Sequence, residues 1–342
     1  MTVKRTEIAD LGEFGLIKAL TKDFHQSIDT IKGVGDDAAV VKFNKENTLI
    51  STDFLIENIH FDLAYTPLKH LGYKAAIVNF PDIYAMNGTP KHITVSIAIR
   101  NRFSVEALQE IYAGIHIACE KYNVDLIGGD TTTSEKGLII SVTVIGEANQ
   151  QEIVYRNGAK EGDLIAVTGN LGAAYMGLQV LQREKMVYLE NPELQPELND
   201  ENSYLIQRFL KPEAKKSVIE FFKAENIKPH AMMDISDGLS SEIFHICTQS
   251  GVGAEIEERF LPIEEQTFNE SMKMNIDPTV SALNGGEDYE LLFTFDKKDL
   301  EKISENEQIT VIGEIKSKDK GIKLKSKGNN LYDLKAQGWI SF

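Results

Sequence analysis

The chain has 342 residues, of which 36 are Lys or Arg and 52 are Asp or Glu, giving a formal net charge of −16. That length exceeds what one core usually serves, and 42% apolar with 26% charged residues is globular composition, which excludes a disordered chain or a fibre. The acidic balance speaks against a nucleic-acid binder, whose phosphate partner selects for basic excess, and fits a protein that gathers cations.

The elements follow in chain order. Leu11 to Phe24 has the spacing of an amphipathic helix with Asp10 at its N-cap. A Gly-Asp turn leads into two strand-like runs, Ala38–Val41 and Thr48–Ser51. Leu68 to Met86 has helical spacing interrupted by Pro81, and His92 to Ile99 alternates as a half-buried strand does. Ser104 caps a long helix through Cys119 to Tyr122, and Val124 to Ile127 reads as a short strand ending in Gly128-Gly129-Asp130. Gly137 to Gly146 is a further strand, and the polar run around Glu147 to Glu152 marks a boundary between two domains, 1–149 and 150–342. Beyond it come a strand over Asp163 to Gly169, a helix over Ala173 to Gln182 and a surface loop over Met186 to Asn202. Helices over Pro212 to Ala224 and Leu239 to Gln249 and a strand over Tyr289 to Phe295 complete the pattern. Strands and helices mix without a regular βαβ rhythm, so the expected class is α+β.

Cys119 and Cys247 both sit in apolar helical patterns, which excludes a disulfide scaffold or a cysteine-built zinc site. The opening Met1–Glu7 lacks the apolar core of a signal peptide, and no stretch is long enough to span a bilayer. The expectation is a cytoplasmic protein with neither a membrane nor a nucleic acid as partner.

The chemistry is carried by where aspartates fall. They stand beside small residues at the ends of apolar runs: Gly35-Asp36-Asp37, Ser51-Thr52-Asp53, Asn79-Phe80-Pro81-Asp82, Gly128-Gly129-Asp130 and Asp234-Ile235-Ser236-Asp237-Gly238. One such pair is ordinarily a turn, and an acidic chain ordinarily has a solvated surface. Five of them against apolar strands are another matter: converging carboxylates repel unless cations lie between, and hard oxygen donors select Mg²⁺. Gly33-Val34-Gly35-Asp36-Asp37-Ala38 matches a loose dinucleotide fingerprint but precedes a strand instead of following one, and its acidic centre would repel a pyrophosphate. No Gly-Lys-Ser/Thr occurs, so there is no Walker A loop. A lone His60 is more often structural than catalytic, Glu287 and Asp288 follow a Gly-Gly turn, and Trp339, the single tryptophan, is by default an anchor for the chain end.

Taken together, these segments resemble the thiamine-monophosphate kinases, a family of the ATP-binding superfamily that includes aminoimidazole ribonucleotide synthetase. The resemblance runs from Glu13-Phe14 to Trp339. It is most specific at Gly35-Asp36-Asp37, Ser51-Thr52-Asp53 with Asn58-x-His60-Phe61, Leu126–Thr132, Asp234–Leu239 and Gly285–Leu291. The chain departs from the family after Gly338-Trp339, ending Ile340-Ser341-Phe342 in place of Asp-His-Phe.

The resemblance implies an N-terminal α+β domain whose strands pair across a homodimer, a C-terminal α/β domain, and ATP in a cleft between them. It implies that Asp37, Ser51, Thr52, Asp53, Asp82, Asp130, Asp234 and Asp237 bind several Mg²⁺ ions, with Asp36 as a further ligand. Asp37, Asp53, Asp130 and Asp237 would then be the residues on which catalysis rests. Tyr112, Gly129, Asp130, Arg156 and Ser236 would contact ATP, while His60, Glu287 and Trp339 would line the thiamine monophosphate site. The reaction implied is direct in-line transfer of the ATP γ-phosphoryl group to thiamine monophosphate, without a phosphoenzyme. Two alternatives stand beside it: another enzyme of the superfamily acting on a different acceptor, and a nucleotide-binding regulator without turnover.

Overall fold

The computed structural model describes residues 16, 19–24, 27–32, 40–100, 102–193 and 200–335. The chain divides into two compact units, Met1–Ile83 with Gly88–Gln151 and Tyr84–Asn87 with Glu152–Phe342. Of the helix expected over Leu11 to Phe24, the described residues 16 and 19–21 are helical. Asp36, Asp37 and Trp339 lie outside the described residues.

In the first unit β1 (Thr30–Lys32) pairs antiparallel with β2 (Val40–Val41). Next come β3 (Asn47–Ile56), α1 (Leu68–Ile77), α2 (Phe80–Ala85), β4 (Thr89–Ile99), α3 (Val105–Tyr122), β5 (Asp125–Thr133) and β6 (Ile139–Ala148). The long strands form a four-stranded sheet in the order β3-β6-β4-β5, with β4 and β5 parallel and the other pairs antiparallel. Pro81 separates α1 from α2 and stands in the first turn of α2, where its missing N–H costs no helical bond. Ser104 caps α3 by accepting from the Ala107 N–H, as its place before the apolar run predicts, and Asn123 ends the helix in the left-handed region at φ 57°. α1 and α3 approach until their backbones touch: a Cβ on Gly72 would lie 1.8 Å from the Ile111 carbonyl oxygen.

Along β3 the pleat sends Leu49 and Leu55 into the core and leaves Ile50 and Phe54 69% and 59% exposed on the other face. The strand expected to end at Gly128-Gly129-Asp130 does not end there. β5 runs through all three residues to Thr133, because β4 goes on pairing with it as far as Ile99 opposite Thr133.

The second unit contains β7 (Leu164–Thr168), α4 (Ala173–Glu190), α5 (Asp200–Leu210), α6 (Lys216–Ala224), β8 (Ala231–Ile235), α7 (Leu239–Ser250) and β9 (Gly253–Glu257). It continues with α8 (Glu265–Lys273), α9 (Pro278–Asn284), β10 (Glu290–Phe295), α10 (Leu300–Ser304), β11 (Ile309–Lys316), β12 (Ile322–Lys325) and β13 (Leu331–Asp333). The strands form a seven-stranded sheet in the order β13-β12-β9-β11-β7-β10-β8, antiparallel except for β12 with β9. Its core is built from Ile165, Val167, Met233, Ile235, Ile243, Ile256 and Leu292, all buried.

The loop expected over Met186 to Asn202 is helical at both ends, as the tail of α4 and the start of α5. Pro192 and Pro196, which cannot continue a helix, fall between them. Cys119 and Cys247 are free and buried. No described helix is long and apolar enough to cross a membrane.

Candidate active site

In the first unit, β3 and the start of α2 bring Ser51, Asp53 and Asp82 together. The Ser51 hydroxyl donates to Asp82 Oδ2 at 2.6 Å. Burial, and then the neighbouring Asp82 carboxylate, push Asp53 up from its ordinary 3.8 to about 6. Thr52 does not join them. Alternation turns its side chain to the opposite face, where the hydroxyl donates to the Val142 carbonyl at 3.1 Å and meets Thr143 Oγ1 at 3.0 Å.

Asp130 is exposed on β5, opposite Ser96 of β4. The row of paired residues that contains Asp53 passes through Val142 and Val95 to Gly129, so Asp130 lies one residue beyond that row with β6 and β4 intervening. Three strand spacings of about 4.8 Å separate the two aspartates across the sheet, roughly 14 Å. At Gly129 a Cβ would stand 1.8 Å from the Val95 carbonyl oxygen, so only glycine fits.

After β3 the chain turns tightly, with Asn58 at φ 68° donating its N–H to the Phe61 carbonyl at 2.7 Å. His60 Nδ1 accepts the Ile56 N–H at 3.1 Å. The neutral ring therefore carries its proton on Nε2, which is the atom able to donate to a ligand. Tyr112 is placed in the core of this unit, edge-on to Phe24 at 6.4 Å between ring centroids.

In the second unit Arg156 is exposed on a loop pinned on both sides. The Tyr155 carbonyl accepts from Met232 N–H at 3.0 Å, and Ser250 Oγ accepts from Gly158 N–H and Ala159 N–H at 3.1 and 3.2 Å. Asp234, next to last in β8, is almost fully buried, and Ser236, Asp237 and Gly238 lead into α7.

A second loop, Gly285–Tyr289, lies against this one through two main-chain bonds. Glu287 N–H donates to the Ser236 carbonyl at 2.7 Å and Tyr289 N–H to the Ile235 carbonyl at 2.9 Å. Glu287 and Tyr289 both occupy the left-handed region, at φ 67° and 51°, which non-glycine residues adopt only where the surroundings enforce it.

Carboxylates crowd this junction. Asp237 is pushed up by burial and by Glu287, against the opposing pull of His245. Its N–H donates to Glu242 Oε1 at 3.0 Å, and burial, with smaller pushes from Asp237 and Asp234, raises Glu242 to about 8. Glu242 was not singled out in the sequence, although its place in the first turn of α7, close after the Asp-Gly pair, was a usable signal. Arg208 was not singled out either, since nothing in a linear reading places it beside Asp288 and Glu290 of the Gly285–Leu291 segment.

Among the described residues no group of three or more His, Cys, Asp or Glu side chains is arranged to hold a metal ion. The donor chemistry nevertheless fits Mg²⁺. Asp53, Asp82 and Ser51 present hard oxygen atoms, and Asp53 is raised because a like charge and burial act on it, which a divalent cation would reverse.

Comparison with known proteins follows the same division. The family model for the N-terminal domain of AIR synthase related protein matches residues 35–148, and that for its C-terminal domain matches residues 160–325. Thiamine-monophosphate kinase of Buchnera aphidicola subsp. Schizaphis graminum is 39% identical over 324 residues, covering 92% of this chain and 94% of its own. The Aquifex aeolicus enzyme is 37% identical over 291 residues, covering 85% and 88%. The chain belongs to the thiamine-monophosphate kinase family. A solved structure of AaThiL complexed with AMPPCP and TMP is similar over the whole of both chains, with a TM-score of 0.73 and 33% identity. Thiamine-monophosphate kinase from Stenotrophomonas maltophilia K279a gives 0.76 at 28% identity over 92% of this chain and 95% of its own. The hydrogenase maturation protein HypE, in complex with ATP, shares the fold at 0.74 and 18% identity.

Proposed function

We propose that the chain transfers the γ-phosphoryl group of ATP to thiamine monophosphate, giving thiamine diphosphate and ADP. The observation that carries this reading is kinship with thiamine-monophosphate kinases over nine-tenths of the chain, the Buchnera aphidicola enzyme covering 92% of it. A relative with the same fold is known with an ATP analogue and TMP bound together.

The attacking group is an oxygen of a phosphate monoester, already largely anionic at neutral pH, so catalysis rests on position and charge and not on a strong base. Each pair of unit charges brought to about 4 Å repels by ~1 kcal/mol in water and ~4 kcal/mol at an effective dielectric of 20. Mg²⁺ ions, if held by Asp37, Ser51, Asp53, Asp82 and Asp130 and by Asp234 and Asp237, would supply the neutralising charge; the Thr52 hydroxyl, turned to the other face of β3, takes no part. The chain's own residues do the rest. Gly129 lets β5 close tightly on β4 beside Asp130, and Ser236 and the Arg156 guanidinium serve the polar groups of the nucleotide. The Glu287 carboxylate faces the cationic thiazolium, and His60 donates from Nε2 to the substrate.

A second copy of the chain covers the open face of the first-unit sheet, where Ile50 and Phe54 stand exposed, making a homodimer. The buried, unoxidised thiols of Cys119 and Cys247 suit a reducing cytoplasm.

The test is incubation of the purified chain with ATP, Mg²⁺ and thiamine monophosphate, following products by chromatography. Thiamine diphosphate and ADP in equal amounts, abolished by a chelator, are expected. ATP binding with no thiamine diphosphate formed overturns the assignment of the acceptor.

A further inference from the structure

Behind the loop that carries Glu287 lies a buried ionic network to which the reaction as described assigns no part. Glu290, the first residue of β10, is fully buried. Its Oε1 receives both Arg208 Nη2 and Lys215 Nζ at 2.8 Å, and its Oε2 accepts the Thr168 hydroxyl at 2.6 Å. The same Arg208 nitrogen reaches the main-chain carbonyls of Asn170 and Asp288, at 3.3 and 3.4 Å. Asp288 is itself buried and accepts the N–H groups of Gly172 at 2.7 Å and Ala174 at 3.4 Å, at the start of α4. One guanidinium thus ties the turn after β7 to the carbonyl of the residue next to Glu287.

A buried ion pair is weak support for stability, because removing two charges from water offsets their attraction. What such a network does well is fix one conformation among several. That is the requirement here, because Glu287 and Tyr289 are held at positive φ on either side of Asp288. Their N–H bonds to Ser236 and Ile235 secure one side of the loop, and Arg208 secures the other. A lysine would keep the charge but lose the rigid plane that fixes where the Nη2 donors point.

We propose that Arg208, backed by Lys215 and Glu290, is a positioning residue for thiamine monophosphate: it locks the Gly285–Tyr289 loop in the form that presents Glu287. The inference rests on the functional reading above. Arg208 touches neither substrate nor nucleotide in this account and acts through the loop.

The experiment compares wild type with Arg208→Lys by calorimetric binding of thiamine monophosphate and of ATP separately, by steady-state kinetics, and by hydrogen exchange at the amides of Glu287 and Tyr289. Arg208→Lys is expected to weaken thiamine monophosphate about tenfold or more, in both dissociation constant and KM, with ATP affinity changed by less than about threefold. Exchange at the two amides should accelerate while the melting temperature stays close to that of the wild type. Lys215→Met, which keeps the Arg208–Glu290 pair, serves if Arg208→Lys does not fold, with a loss of about twofold to fivefold for thiamine monophosphate alone. Unchanged thiamine monophosphate affinity, or equal losses for both ligands that follow a fall in melting temperature, would return the network to a purely structural role. A wild type that binds thiamine monophosphate and turns it over while the variants match it overturns this inference alone; a wild type that binds none overturns both readings.

Discussion

The Ser51 hydroxyl donates to Asp82 Oδ2 at 2.6 Å, joining the middle of a strand to the first turn of a helix across 31 residues of chain. The bond sets the direction of one carboxylate, and the other, Asp53, feels it as a like charge. Asp82→Asn removes a charge that the cation reading needs and is expected to lower kcat by about tenfold or more, ~1.4 kcal/mol of barrier. Ser51→Ala leaves both carboxylates but removes the bond by which Ser51 orients Asp82, so the Mg²⁺ concentration for half-maximal rate should rise by roughly threefold to tenfold. Velocity against Mg²⁺ concentration checks both. Curves that superimpose on wild type would remove Ser51 and Asp82 from the cation site.

Gly128 and Gly129 look alike in the sequence and differ in space. A Cβ on Gly129 would stand 1.8 Å from the Val95 oxygen, whereas on Gly128 the nearest atom is a Thr94 methyl at 3.9 Å. Gly129→Ala must push two paired backbones apart and is expected to cost about 1–3 kcal/mol or more. Gly128→Ala should stay within about 1 kcal/mol. Denaturant unfolding of the two variants decides the matter, and equal stabilities would show that the sheet opens freely at this point.

Local signals carried much of this through. Ser104 before an apolar run gave the cap of α3, and Pro81 gave the break between α1 and α2, because capping and missing donors are properties of a few adjacent residues. β5 passed through Gly128-Gly129-Asp130 against expectation, because pairing with β4, distant in sequence, outweighed the turn preference of glycine. The aspartate clusters were legible as chemistry, but not the opposite orientations of Thr52 and Asp53, which depend on which face of β3 is buried. The network of Arg208, Lys215, Asp288 and Glu290 was invisible for the same reason. Its members come from the last turn of α5, the cap of α6, a loop and the start of β10, and only the fold brings them together.

The exposed side of β3 makes a prediction about assembly. Ile50 at 69% and Phe54 at 59% exposure share one face of the sheet with the Thr52 and Thr143 hydroxyls. If a second copy covers this face, Phe54→Glu buries a charge at its centre, and sedimentation should shift from twice 38.2 kDa towards 38.2 kDa. The dimer constant should weaken by about a hundredfold or more. A variant that sediments as the wild type does would place the contact elsewhere.

Asp288 ties stability to pH. Burial pushes its carboxyl up from the ordinary 3.8 to about 7; Arg208 and the N–H groups of Gly172 and Ala174 pull it down, and Glu290 pushes it up. The folded chain therefore holds this proton more tightly than the unfolded one. The stability this contributes is fully present below about pH 4 and is lost as pH rises through about 7. Asp288→Asn has no charge to lose, and its amide oxygen can still accept the Gly172 N–H. Relative to that variant, the wild type is expected to lose on the order of 2–3 kcal/mol of stability between about pH 5 and pH 8. Denaturant unfolding of both proteins across that range checks it. Curves that run parallel would mean that Arg208 holds Asp288 ionised throughout.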